Sequence, residues 1–125
     1  MDRWELAAIF AGGFAGALAR HGLNEALPAG PGQWPWATFM ANIAGAFLLG
    51  CFATGLASSS YRRPLLTSGF CGALTTFSTL QLELLRILDR GELGLAFAYV
   101  GLSLALGLAA VLIATRLVRR AQVPV

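Results

Sequence analysis

GLAFAYVGLSLALGLAAVLIAT, residues 94 to 115, contains no charged residue and runs directly into Arg116, Arg119 and Arg120. A helix needs about 20 apolar residues to cross the hydrocarbon of a bilayer, and arginines at its end belong among the headgroups. This stretch therefore reads as a membrane span. Just before it, Asp89-Arg90-Gly91-Glu92 makes a short polar turn. Before that turn, Leu65 to Leu82 is apolar in outline but interrupted by Thr67, Ser68, Thr75, Thr76, Ser78 and Thr79 with Gly69 and Gly72, which makes a poor lipid-facing helix.

Further toward the N-terminus, Tyr61-Arg62-Arg63-Pro64 follows Ser58-Ser59-Ser60, with the proline well placed to start a helix. Pro35 to Ala57 is a second uncharged block, and Trp34 and Trp36 sit where an aromatic belt meets the water-to-lipid boundary. A linker from Asn24 to Gly32 carries Pro28, Gly30, Pro31 and Gly32. The first block, Leu6 to Ala19, ends at Arg20-His21 and reaches the length of a span only when continued to Leu23. Ala17-Leu18-Ala19 resembles a signal cleavage site, but Asp2 and Glu5 outweigh Arg3 where a signal peptide is positive, so the block reads as a retained helix.

The whole chain is 57% hydrophobic with a mean hydropathy of +0.69 and only 12% charged residues, against about a quarter in soluble domains. The expectation is an all-α integral membrane protein, a single domain over residues 1–125 with four transmembrane helices near 4–23, 35–57, 64–88 and 93–117. All nine basic residues are arginine, placed between or at the edges of the apolar blocks, which suits headgroups and not nucleic acid. With four spans, Arg3, Arg62, Arg63, Arg116, Arg119 and Arg120 share one side and Arg20, Arg86 and Arg90 the other, which favours cytoplasmic termini.

Polar residues inside these blocks are the candidates for function. Asn42 lies within the second block, where an amide without partners is costly, so it faces protein or water. Either an interhelical hydrogen bond or a donor on an ion path accounts for it. Thr38, one turn earlier, shares its face. Ser68, Gly72, Thr75 or Thr76, Thr79 and Glu83 follow at steps of three or four and form one polar stripe, in which Gly69 and Gly72 weaken the helix at mid-membrane. Tyr99 and Ser103 add hydroxyls on one face of the last block. Gly12, Gly16, Gly45, Gly50, Gly101 and Gly107 offer flat faces for close packing, within the chain or in an oligomer. Cys51 and Cys71 read as core filler and His21 as an interfacial residue.

No nucleophile-base pair, metal-binding cluster or phosphate loop is visible, so an enzyme is not expected. A proton-coupled exporter of the small multidrug resistance type needs an acid buried in the first span, and none is there. A path lined by hydroxyl, amide and ring edges favours a small anion over a cation.

Three motifs carry a resemblance over nearly the whole chain: Gly12-Gly13-x-x-Gly16-Ala17-x-x-Arg20, Asn42-x-x-Gly45-x-Phe47-x-x-Gly50, and Gly69-Phe70-Cys71-Gly72-x-x-Thr75-Thr76-Phe77-Ser78-Thr79. They resemble the Fluc/CrcB family of small fluoride channels. The resemblance implies an antiparallel, dual-topology homodimer of four-helix subunits in the cell (inner) membrane, with the third helix broken near its middle and two pores that release fluoride passively. It implies a central structural Na+ held through the backbone carbonyls of Gly72 and Thr75. It further implies that Phe77 presents a ring edge to fluoride and that Asn42 donates to it, with Thr38, Ser78, Thr79, Glu83, Tyr99 and Ser103 along the track and Arg20 at the vestibule.

Two positions depart from the family pattern. Leu80 stands where a second Phe is usual, and Gly107 stands where a serine is frequent. On this basis each pore lacks one aromatic contact, which leaves room for a non-conducting or partner-dependent subunit paired with a paralogous chain.

Overall fold

The computed structural model describes residues 2–28 and 33–122; residues 29–32 of the proline-glycine linker lie outside them. The described chain is helical throughout, with no strand. Helix α1 is Arg3–Ala26 and α2 is Trp36–Gly55. Helix α3 covers 62–74, in which a π-helical stretch, Leu65–Cys71, lies between short α-helical turns Arg62–Pro64 and Gly72–Leu74. Helix α4 is Phe77–Asp89, and α5 is Leu93–Gln122. Three of these, α1, α2 and α5, are long and apolar enough to cross a membrane.

Boundaries shift from the sequence expectation where capping chemistry acts. Asp2 caps α1, its carboxylate accepting from the Glu5 amide at 2.7 Å. It also accepts from the Tyr61 hydroxyl at 3.1 Å, tying the start of α1 to the turn before α3. The Glu5 amide holds the Asp2 carboxyl below the usual carboxylate range, and the bond to Asp2 raises the Tyr61 phenol. At its other end α1 runs on to Ala26, so Asn24 and Glu25 are helical and not linker. Its C-terminal end is closed by the Leu27 N–H, which donates to the Leu23 carbonyl at 2.8 Å.

The interruption after α3 falls at the C-terminal edge of the Gly72-to-Thr75 stretch around which the sequence divides the third helix. Gly72 is helical (φ −61°, ψ −37°), whereas Thr75 (φ −77°, ψ 152°) and Thr76 (φ −152°, ψ 116°) are extended. The glycines serve a different purpose. On α1, a Cβ at Gly12 would strike the Leu65 carbonyl and one at Gly16 the Phe70 carbonyl. On α3, a Cβ at Gly69 would lie 2.6 Å from the Ile9 carbonyl oxygen and 3.0 Å from the Gly12 Cα. Main chain thus meets main chain between α1 and α3, the kind of approach small residues permit in membranes.

Helix α2 is held on two sides. Gly45 faces the Thr75 methyl, and a Cβ at Gly50 would come within 2.9 Å of the Ala114 Cβ on α5. Ala41 and Ala114 are fully buried along the same arrangement. Where α2, α4 and α5 meet, Phe39, Leu80, Ile87, Ala96 and Tyr99 form the core. A Cβ added at Gly101 or Gly107, by contrast, would meet nothing within 4 Å, so close packing within the chain does not require glycine there.

Gly69→Val should therefore separate α1 from α3. Overpacking costs about 1–3 kcal/mol where side chains can yield, and here the obstacle is backbone, so we expect at least that loss in thermal unfolding in detergent. Gly22→Ala, with nothing within 4 Å of the added Cβ, should be neutral or stabilising by up to about 1 kcal/mol.

Candidate functional site

The site is built around the main chain of Thr76. Its N–H points away from the helical pattern and donates to Asn42 Oδ1 at 2.8 Å, while its carbonyl accepts from Asn42 Nδ2 at 3.4 Å. One amide side chain on α2 thus serves both polar groups of an extended residue. In an unbroken helix the Thr76 N–H would donate to the Gly72 carbonyl. Its diversion leaves that carbonyl without its helical donor, at an exposed residue. On the near side of the gap, the Thr75 hydroxyl and N–H both donate to the Cys71 carbonyl, at 2.9 and 3.0 Å, and finish α3. On the far side, the Thr76 hydroxyl accepts from the Thr79 amide at 3.2 Å and donates to the Thr79 hydroxyl at 3.1 Å, which starts α4.

From this point a line of polar groups follows α4 toward its C-terminal end. Thr38, only 3% exposed, lies one turn before Asn42 on α2. Thr79 and Glu83 stand a turn apart on α4, and the buried Tyr99 of α5 donates to Glu83 Oε1 at 3.2 Å. Tyr99 is held by rings: Trp34 meets it edge-to-face at 5.4 Å and Phe39 lies 6.5 Å away. Two adjoining cavities open beside this line. One is bounded by Ala17, Arg20, His21, Asn24, Thr38 and Thr79, and the other includes Asn24, Thr38, Thr79, Leu82, Glu83 and Arg86. On the opposite side of the Thr75–Thr76 gap a third cavity is bounded by Arg63, Thr67, Ser68, Gly72 and Thr75, among others.

The structure thus brings together Thr38, Asn42, Thr79, Glu83 and Tyr99, with Arg20 at the mouth. It does not bring Phe77 and Ser78 to them, because both lie on the exposed surface of the protomer, Phe77 with 68% of its surface open. The Ser103 hydroxyl oxygen is enclosed but has no hydrogen-bond partner. Leu80 is 7% exposed and packs in the core with Phe39, Ile87, Ala96 and Tyr99, so in this chain it contributes to a wall and not to an open surface. Sequence reasoning did not single out the Thr76 main chain. The available signal was Thr76-x-x-Thr79, a helix-start pattern placed inside an apolar block. Trp34, assigned to an aromatic belt, proves to be a packing partner of Tyr99.

Residues suited to a cation are main-chain ones. No group of three His, Cys, Asp or Glu side chains gathers among the described residues. The Gly72 carbonyl, freed as described, and the extended Thr75 supply neutral oxygens of the kind that broken helices offer to Na+.

The profile of the family described as "CrcB-like protein, Camphor Resistance (CrcB)" matches residues 7–115. The chain is 55% identical over 126 residues to fluoride-specific ion channel FluC 1 of Mycolicibacterium paratuberculosis, covering 98% of this chain and 96% of that one. It is 53% identical, over the same shares, to fluoride-specific ion channel FluC 1 of Mycobacterium tuberculosis. It is 45% identical to fluoride-specific ion channel FluC 2 of Symbiobacterium thermophilum, covering 94% of this chain and all of the relative.

The Asn42 bracket has a measurable consequence. Asn42→Leu leaves the Thr76 N–H and carbonyl unserved and should lower stability by roughly 2–4 kcal/mol, two lost bonds at the cost of unsatisfied groups. Asn42→Asp should depend on pH. The protonated acid can accept from the N–H and donate to the carbonyl, whereas the carboxylate cannot donate. Stability is then retained at low pH, where the acid is protonated, and lost as rising pH ionises it. Thermal unfolding across a pH series checks both variants.

Proposed function

The chain belongs to the CrcB family, and on that premise we propose that it is a fluoride channel that lets the ion leave the cell passively, with the pore along the Thr38–Asn42–Thr79–Glu83–Tyr99 line. It is a multi-pass membrane protein, and its family transports an ion without catalysing a reaction. The observation that carries the reading is that hydrogen-bonding side chains converge beside a gap in a helix within a chain whose other helices are apolar.

Fluoride is small and holds its water strongly, so a pore must supply close donors in exchange. The Thr79 hydroxyl, which accepts from Thr76 and keeps its hydrogen, is such a donor, Asn42 keeps one Nδ2 hydrogen beyond the bond to Thr76, and the Thr38 hydroxyl, bonded to Glu83, lies on the same line. Glu83 would oppose an anion, and the Tyr99 hydroxyl bonded to it spreads that charge. Residues 62–89 cross the bilayer as one discontinuous span, the third in chain order. Helix α4 alone, at 13 residues, is about 20 Å long, short of the ~30 Å hydrocarbon core, and the extended pair is tolerated because protein groups satisfy it.

The pore is completed by a second, antiparallel copy. Phe77 and Ser78 are exposed on one protomer, as is Gly72, and a partner laid over this surface encloses the Phe77 ring, whose edge carries partial positive charge. A Na+ shared between the copies would be held by the Gly72 and Thr75 carbonyls of each chain, and it would supply positive charge that offsets desolvation of the anion. The small multidrug resistance reading stays disfavoured, since the buried residues of α1 are Gly12 and Gly16. A partner-dependent subunit loses its main motive as well, because Leu80 belongs to the core and its place is not an unfilled gap in a lumen.

Purified protein in fluoride-loaded liposomes should release fluoride to an ion-selective electrode well above empty liposomes; no release would remove the homodimeric channel reading. Phe77→Ala should depress release at least ten-fold while the protein stays monodisperse, and unchanged flux would show that the pore runs elsewhere. Leu80→Phe should not speed release, because the added ring overpacks the Phe39–Tyr99 core.

A further inference from the structure

The cavities beside Thr38 and Thr79 have a second arginine that the fluoride reading leaves unused. The cavity reaching Arg20 and His21 and the one reaching Glu83 and Arg86 share Asn24, Thr38 and Thr79, so they adjoin there and make a mouth lined by Arg20 in one part and Arg86 in the other. Arg86 stands three residues after Glu83, on the same face of α4, and its side chain is exposed. It does not form an ion pair with Glu83. The Glu83 carboxylate is bonded by the Tyr99 and Thr38 hydroxyls instead, and His21 Nε2 lies 3.9 Å from Glu25 Oε1.

The charged groups around the mouth are therefore Arg20, Arg86, Glu83, and the His21–Glu25 pair, whose side chains are largely in water. Glu25 lines neither cavity, so the fixed charges on the walls are Arg20 and Arg86 against Glu83, and a cleft with such a positive excess and low-dielectric walls raises the local concentration of anions. An anion entering here also meets a carboxylate, and the fixed positive charge nearest to it along the helix is Arg86.

We propose that Arg86 acts with Arg20 to concentrate small anions at this mouth, and that Arg86 offsets the Glu83 carboxylate which the anion has to pass. The inference rests on the fluoride-channel reading. It assigns Arg86 an electrostatic role on entry, not a part in the packing of the protomer. The role needs charge at that position more than guanidinium shape, so a lysine should serve.

The test is fluoride efflux from liposomes by wild-type protein, Arg86→Gln and Arg86→Lys, over a range of fluoride concentrations and at low and high ionic strength set by an impermeant salt. At low fluoride and low ionic strength Arg86→Gln should be slower by roughly two- to four-fold, the scale of one unit charge in a watery mouth. The deficit should shrink at saturating fluoride and in high salt, where charges beyond about 8–10 Å are screened, and Arg86→Lys should recover most of the rate. Equal rates for Arg86→Gln and wild type at low ionic strength would overturn the proposal and assign the side chain to the lipid headgroups. A deficit unchanged by fluoride concentration and salt would overturn it in favour of a structural defect. A wild-type protein that passes no fluoride removes the channel reading itself, and this inference with it.

Discussion

Inside hydrocarbon, no water is available to a peptide group that has lost its helical partner. With 62–89 as the proposed discontinuous span, that constraint falls on Thr75 and Thr76, and the rest of the fold depends on how it is met. The Asn42 side chain takes both polar groups of Thr76, and the Thr75 and Thr76 hydroxyls close the two helix ends that result. Without the amide on α2 the gap would leave orphaned groups, and a continuous helix would be the cheaper course. With it, α4 can leave the direction of α3 and carry Thr79 and Glu83 past Thr38 and Tyr99.

The amide can reach only because the helices are close. Gly45, one turn beyond Asn42 on α2, admits the Thr75 methyl. On the opposite side α3 is pinned by α1, where Gly12, Gly16 and Gly69 bring main chain against main chain. The same residues that make the chain a poor helix former by propensity are those that set the interhelical distances. Small residues here do the positioning and the polar residues do the joining.

Part of this could be read in the sequence. The uncharged blocks marked α1, α2 and α5, and the polar stripe read on the third block includes Thr79 and Glu83, which line one cavity with Thr38. What the stripe could not give was the point of interruption. Glycine lowers helix propensity, which put the break around Gly72 to Thr75; Gly72 remains helical and the extended residues are Thr75 and Thr76, at the later edge of that stretch. Their conformation follows from a tertiary bond across 34 positions of sequence, which no local pattern encodes. The placement of Leu80 was equally hidden. As a letter it is a missing aromatic ring, but as a side chain it is part of the contact between α4 and α5.

Helix α5 is 30 residues long, about 45 Å, against a hydrocarbon thickness of about 30 Å. Its excess is at the basic end, where Arg116, Arg119 and Arg120 follow the apolar stretch. Such a helix is matched to no single bilayer. It can tilt in a thin membrane or rise in a thick one, keeping its arginines at headgroup depth in either case. The short segments α3 and α4, joined by extended residues, have no comparable reserve. A change in bilayer thickness would thus act on the chain unequally, absorbed by the long helix and transmitted to the joint that carries the polar line.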